Sequence, residues 1–162
     1  QRQMCIRDRQ EIVADIIEHM EPETTYVVGS GSTTGALMDA LSINNTLLGI
    51  DAIRGNKLLS SDLTEEQLYK LVSESLDIRL VITVIGGQGH LFGRGNQQLS
   101  PRVIRAVGLD NIVVIATKTK LEGLNGRPLI VDTGDTSLDE ALCGLRRVVT
   151  GYEDSVLLRV SG

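Results

Sequence analysis

The stretch "IGGQGHLFGRGNQQLSP", Ile85 to Pro101, gathers the residues best suited to chemistry. Gly86, Gly87, Gly89, Gly93 and Gly95 leave backbone bare, and Gln88, Asn96, Gln97 and Gln98 carry amides that can bond the edge of a base or a ribose. Arg94 can grip a phosphate or carboxylate through two parallel N–H bonds. So many glycines increase the entropy lost on folding, and a loop this long in a small domain is usually functional. The plainer reading is that the amides satisfy loop backbone. A second stretch, "GSGSTTG" (Gly29 to Gly35), sets Ser30, Ser32, Thr33 and Thr34 around Gly29 and Gly31 where an apolar run meets a helical pattern. Free N–H groups and the helix dipole favour an anion at such a place. The spacing approaches G-x-G-x-x-G, but Thr34 stands where the last glycine belongs, so a glycine turn with a Ser/Thr cap explains it equally well.

Two further places carry carboxylates at strand ends. Asp132, Thr133, Gly134 and Asp135 follow an apolar run and suit Mg²⁺ or a hydroxyl, although Asp135 also suits a helix cap. Asp51 reads as the end of a strand, placed to accept from a ribose hydroxyl or to anchor a turn. His90 reads as a solvated loop residue, with Leu91 and Phe92 pinning the loop to the core. Cys5 and Cys143 form neither a disulfide framework nor a metal-ligand spacing, and Cys143 reads as a small core residue within a helix. No Ser–His–Asp arrangement can be assembled around His19 or His90.

These residues must be held by something, and the bulk composition says what. The chain has 162 residues, 41% of them hydrophobic, which suits one domain with a core of Val, Ile, Leu and Ala. Aromatic residues make up only 2%, so stacking platforms for single-stranded nucleic acid are missing. A net charge of −5 argues against a general polyanion binder while allowing a local phosphate site. No apolar run approaches membrane-spanning length and no signal-peptide pattern is visible, so neither nucleic acid nor membrane is an expected partner, and the expected location is cytoplasmic.

The elements follow from periodicity and punctuation. Ile12, Val13, Ile16, Ile17 and Met20 form a helical stripe over Gln10–Met20. "TTYVV", "IRLVITVI", "NIVVIAT" and "RPLIVDT" read as buried strands, the second of them central. "RGNK" suits a hairpin turn, and "RRVVTGYEDSVLLRV" reads as a short terminal strand pair. Thr64 with Gln67, and Ser137 with Glu140, match capping boxes; Ser100-Pro101 matches a helix start. Alternation of strands and helices predicts an α/β domain with a mostly parallel, Rossmann-like three-layer arrangement, helices covering both faces of the sheet. The four candidate loops would then face one crevice beyond the strand ends.

Residues 1–9, "QRQMCIRDR", have no amphipathic period. DNA that encodes "MCIRDR" resembles a transposase mosaic-end sequencing adapter, so this segment is read as non-native, residues 10–162 as the domain, and the natural protein as extending upstream.

From Gln10 onward the chain resembles the C-terminal half of the ATP/polyphosphate-dependent NAD kinase-like proteins of bacteria and archaea. The resemblance is carried by "YVVGSGSTTGALMDAL", "TLLGIDAI", "VITVIGGQGHLFGRGNQQLSP", "NIVVIAT", "RPLIVDTGD" and "RVVTGY", in that order. It implies an enzyme that phosphorylates NAD to NADP with Mg²⁺ and ATP or polyphosphate, this half helping to bind nucleotide or phosphate and pairing with an N-terminal half that carries a "GGDG" aspartate. The "GGQG" here is a different segment, and Gln88 cannot act as a general base. No catalytic residue is therefore assigned, and the fragment alone is expected to be inactive. Two other readings stay open. "GSGSTT" also resembles the phosphate loops of sugar-phosphate isomerases and related regulators, which implies sensing without catalysis. The third reading is a structural domain, a lid or the seat of a homo-oligomer.

Overall fold

The structure is a computed structural model that describes residues 2–43, 49–93 and 97–162, with side chains from residue 6 onward. Arg94, Gly95 and Asn96 therefore lie outside the described residues. In chain order the elements are α1 (Arg2–His19), β1 (Thr25–Val28), α2 (Ser32–Ala40), β2 (Asp51–Arg54), β3 (Lys57–Ser60), α3 (Glu65–Glu74), β4 (Ile78–Thr83) and β5 (His90–Phe92). They continue with α4 (Pro101–Val107), β6 (Ile112–Ile115), α5 (Lys118–Glu122), β7 (Leu129–Val131), α6 (Thr136–Leu142), β8 (Gly144–Gly151) and β9 (Asp154–Ser161). Among the described residues nine strands form one sheet in the order β3-β2-β1-β4-β6-β8-β9-β7-β5. Five of the eight strand pairs are parallel, as the α/β reading expected.

Side-chain alternation on the strands builds two cores. Val27, Leu80, Ile82 and Val114 point to one face and share an apolar cluster with α3, α4, α6 and the strands β5, β7 and β9. Tyr26, Val28, Val81, Ile115 and Val149 point to the other, where Ile12, Val13 and Ile16 of α1 and Leu37 and Met38 of α2 cover them. The stripe on α1 is the one read from the sequence, but the helix starts at Arg2 instead of Gln10. No Pro or Gly interrupts Arg2–His19, so a nucleated helix propagates backward at little cost.

The β2–β3 hairpin turns on Gly55 and Asn56, both left-handed (φ 58° and 61°), as a two-residue turn between twisted strands requires. The terminal strand pair is the main departure. Each strand has eight residues, and the pair lies inside the sheet, β8 against β6 and β9 against β7. Chain direction reverses at this hairpin, so β9, β7 and β5 run against β1, β4, β6 and β8. A periodicity reading sees two strands and a turn; it has no access to which neighbours they choose.

Helix caps fix the entry of the chain into each crossover. Thr64 forms the full capping box with Gln67, and Ser100 accepts from Val103 N–H with Pro101 at the first helical position. The expected Ser137–Glu140 box does not form. Asp135 caps α6 instead, accepting from Leu138 N–H, because the helix begins at Thr136. Cys143 is the residue that closes α6 and is exposed, not a core residue.

Helices α3 and α4 are stapled by Glu65, which accepts from the Ser100 hydroxyl and from Arg102 (Nε 2.7 Å, Nη2 2.5 Å), while the Arg102 guanidinium lies 4.2 Å over the Tyr69 ring. The Arg102 hydrogen bond, and then that of Ser100, hold the Glu65 carboxyl down at about 2. A group whose pKa is depressed by folding stabilises above its ordinary range and loses that effect as pH falls through the folded value. The urea midpoint of Glu65→Gln should therefore lie below wild type at about pH 6, and the gap should close as pH falls toward about 2. A gap of constant size over that range would mean that the charge of Glu65 contributes nothing.

Candidate functional site

The C-terminal ends of β1, β4 and β6 lie side by side, and a crevice of about 480 Å³ opens beyond them. From β1 come Ser30, Gly31, Ser32 and Thr33; from β4 come Thr83, Val84, Ile85 and Gly86; from β6 and α5 come Ala116, Thr117 and Lys120. A volume of this size suits a small organic ligand and is far larger than one phosphate needs.

The first wall is built by a packing constraint. After Val28 the chain stays on the sheet for one more residue, Gly29 N–H donating to Val81 O (2.9 Å). Gly31 then takes φ 135°, and a Cβ there would sit 2.7 Å from Thr83 Oγ1. Thr83 in turn donates to Ser30 O (3.3 Å). Gly31 is thus needed to let the loop lie against β4, whatever binds beyond it. It is also the N-cap of α2, with no side-chain cap, so the first N–H groups of a nine-residue helix are left for a partner. Thr34 is different: it is buried, and its hydroxyl donates back to Gly31 O (3.1 Å).

The electrostatics are one-sided. No Asp or Glu lines the crevice among the described residues, although the chain as a whole carries −5. The cations that line it are Lys120 and Arg9, and Arg9 Nε is buried without a hydrogen-bond partner among the described residues. Lys118, two residues before Lys120, is already engaged: Nζ lies 2.7 Å from Asp154 Oδ2, and that hydrogen bond raises its pKa.

The glycine-rich loop divides. Gly86 and Gly87 have nothing within 4 Å of a notional Cβ, and Gly86 borders the crevice. Gln88 is exposed. At Gly89 (φ 84°) a Cβ would meet Leu124 at 2.8 Å, and at Gly93 (φ 97°) it would lie 1.9 Å from Asp132 O. Those two glycines let the loop pack closely on the chain. Arg127 holds the turn from outside, Nη2 reaching Gly87 O (3.3 Å) and Nε reaching Leu124 O (2.8 Å). His90 is not a solvated loop residue. It opens β5, is half-buried, and its Nδ1 has no partner among the described residues. Gln97 and Gln98 sit in the turn before α4 and do not line the crevice.

The other two candidates are not brought to it either. Asp51 begins β2 and does not end a strand; it is paired in register with Val28, and its Oδ1 accepts from Asp62 N–H (2.8 Å), which makes it the anchor of a turn. Asp135 caps α6 and meets Arg105 at 3.1 Å; the Leu138 N–H and then Arg105 lower its pKa. Thr133 bonds Asp139 (2.7 Å), Asp132 is exposed, and neither they nor Gly134 line the crevice. The reversal of β7 explains this, since its C-terminal end does not continue the row made by β1, β4 and β6.

Thr83, Thr117 and Lys120 were missed by the sequence reading. A signal was present: each stands at or just beyond the end of a predicted parallel strand, the same topological position as the glycine loop. Their ordinary residue types hid them.

The molecule is thus an α/β domain with a crevice at the ends of three parallel strands, lined among the described residues by hydroxyls, two cations and apolar side chains and by no carboxylate. Residues 21–160 match the family model described as the ATP-NAD kinase C-terminal domain, and the chain belongs to that family. Among curated proteins it is 28% identical over 90 residues to the UDP-N-acetylenolpyruvoylglucosamine reductase of Lactobacillus acidophilus, a match over 56% of this chain and 26% of that reductase. The aligned part thus spans about a quarter of the length of that relative. No solved structure matches. No helix among the described residues is long and apolar enough to cross a membrane.

Proposed function

We propose that the crevice holds the phosphate-bearing part of a nucleotide, and that the domain serves as the C-terminal half of a cytoplasmic enzyme converting NAD to NADP, with ATP or polyphosphate as donor. The observation that carries this reading is the lining itself: hydroxyls, free helix N–H groups and cations with no carboxylate, in an acidic chain of the ATP-NAD kinase family. Ser30, Ser32 and Thr33 would orient phosphate oxygens, while Val84, Ile85 and Ala116 offer an apolar floor to the rest of the ligand. Mg²⁺ does not fit here. Among the described residues no group of three or more His, Cys, Asp or Glu is gathered, and none of those that line the crevice is a carboxylate. Proton transfer falls to the N-terminal half that this reading requires. The match to the reductase covers too little of that protein to carry its activity across.

Amide NMR with NAD, ATP, polyphosphate and ribose 5-phosphate in separate samples tests the reading. Saturable shifts at Gly29–Thr33 and Thr83–Gly86 with NAD or ATP are expected. Shifts with ribose 5-phosphate alone would replace the kinase reading by a sugar-phosphate sensor. Silence with all four ligands would remove the nucleotide site from this half.

A further inference from the structure

We propose that Lys120 is the cation that holds the ligand's phosphate in this crevice, the part that the sequence alone suggested for Arg94. The inference rests on the nucleotide reading above and goes beyond it by naming the residue that selects for charge.

Lys118 and Lys120 lie two apart on α5, so they point in different directions. Lys118 points to Asp154 and is neutralised there. Lys120 lies on the crevice wall, half-buried, with no ion pair to any described residue. Its backbone is fixed by Thr117, whose hydroxyl accepts from Lys120 N–H (3.2 Å) at the exit of β6. The opposite wall is the uncapped start of α2 with Ser30, Ser32 and Thr33. A half-buried lysine on one wall and the uncapped start of a helix on the other, with no carboxylate among the described lining residues, together favour an anion. Arg9 of α1 is the other cation on the wall, and the Arg9→Ala variant below separates its part from that of Lys120. The apolar floor beneath, Val84, Ile85 and Ala116, asks for more than inorganic phosphate, which points to a phosphate carried by an organic group.

Calorimetric titration of the 162-residue chain with ADP and with adenosine tests this. ADP is expected to bind wild type, and Lys120→Gln is expected to weaken ADP about tenfold or more while leaving adenosine unchanged. Lys120→Arg should recover most of the ADP affinity, since a guanidinium also bonds phosphate. Lys118→Gln should match wild type. The wild-type salt dependence should flatten in Lys120→Gln, a change that a purely structural role would not produce. Thermal melts of each variant confirm that the fold is retained. Equal ADP affinity in wild type and Lys120→Gln overturns the proposal alone. Loss of ADP affinity in Arg9→Ala with none in Lys120→Gln moves the role to Arg9 and overturns it too. Absence of ADP binding by wild type overturns both the proposal and the nucleotide reading beneath it.

Discussion

Gly93→Ala should cost more than about 4 kcal/mol of stability, in the range reserved for a specific structural failure. The residue sits at φ 97°, where a side chain is strained by about 1–3 kcal/mol before any contact is considered. The contact is the larger effect. A Cβ would lie 1.9 Å from Asp132 O and 2.7 Å from its carbonyl carbon, and both are backbone atoms with no rotamer to yield. Either the end of β5 or the end of β7 must move, and those two strands are paired. Against a typical domain stability of about 5–15 kcal/mol, that is a large share of what keeps the chain folded. Urea unfolding of Gly93→Ala beside Gly87→Ala measures it. The second change meets nothing within 4 Å and should stay within about 0.5 kcal/mol of wild type. Equal midpoints for the two variants would show that the approach of Gly93 to Asp132 is not a real constraint.

Phe92→Ala is expected to cost about 3–5 kcal/mol, the range for removing a fully buried aromatic side chain. Phe92 is 1% exposed, sits in the larger apolar cluster, and is the single phenylalanine of the chain. Its second effect concerns the crevice. Ile85 and His90 exchange both backbone hydrogen bonds (2.8 and 2.9 Å), which closes the Gly86–Gly89 turn directly onto β5. Loosening β5 therefore loosens Gly86 at the crevice wall. Phe92→Leu keeps most of the volume and should cost less than about 1.5 kcal/mol. Denaturant midpoints give the energies, and the ADP titration read in the folded range gives the coupling. A Phe92→Ala protein as stable as wild type would place the side chain outside the core.

Much of the fold was legible because local chemistry and tertiary structure agree. The Thr64 box, the Ser100-Pro101 start and the Gly55-Asn56 turn are decisions made within four residues, and each formed as read. The strands β1, β4, β6 and β7 are β-branched runs with no other plausible use. Errors came where a decision is not local. Ser137 lost the cap to Asp135, a better acceptor two residues earlier that Arg105 of a different helix also holds. Asp51 was placed at the wrong end of its strand, since the apolar residues before it suggested an earlier start.

The site was half legible for a related reason. Gly29–Thr33 announced itself by composition, and it does line the crevice from Ser30 onward. The richer loop is described only in part: Gly86 borders the crevice, and residues 94–96 lie outside the described residues. Gly89 and Gly93 are glycines for the sake of Leu124 and Asp132, partners 35 and 39 residues away that no local pattern reveals. Lys120 and Thr117 escaped notice because lysine and threonine are common, and only the neighbouring strand ends give them meaning.

The place of the β8–β9 hairpin also bears on how the protein is made. Strands β8 and β9, synthesised after the other seven described strands, occupy the middle of the sheet, with β6 on one side and β7 on the other. Until residues 144–161 have left the ribosome, β6 has no neighbour beyond it and β7 can pair only with β5. The two wings of the sheet wait on the tunnel with their backbone edges open, a state that invites pairing with other chains. Closure is then a single late event made from long-range contacts, which makes it slow. The same hairpin that completes the domain therefore sets the interval during which the nascent chain most needs a chaperone.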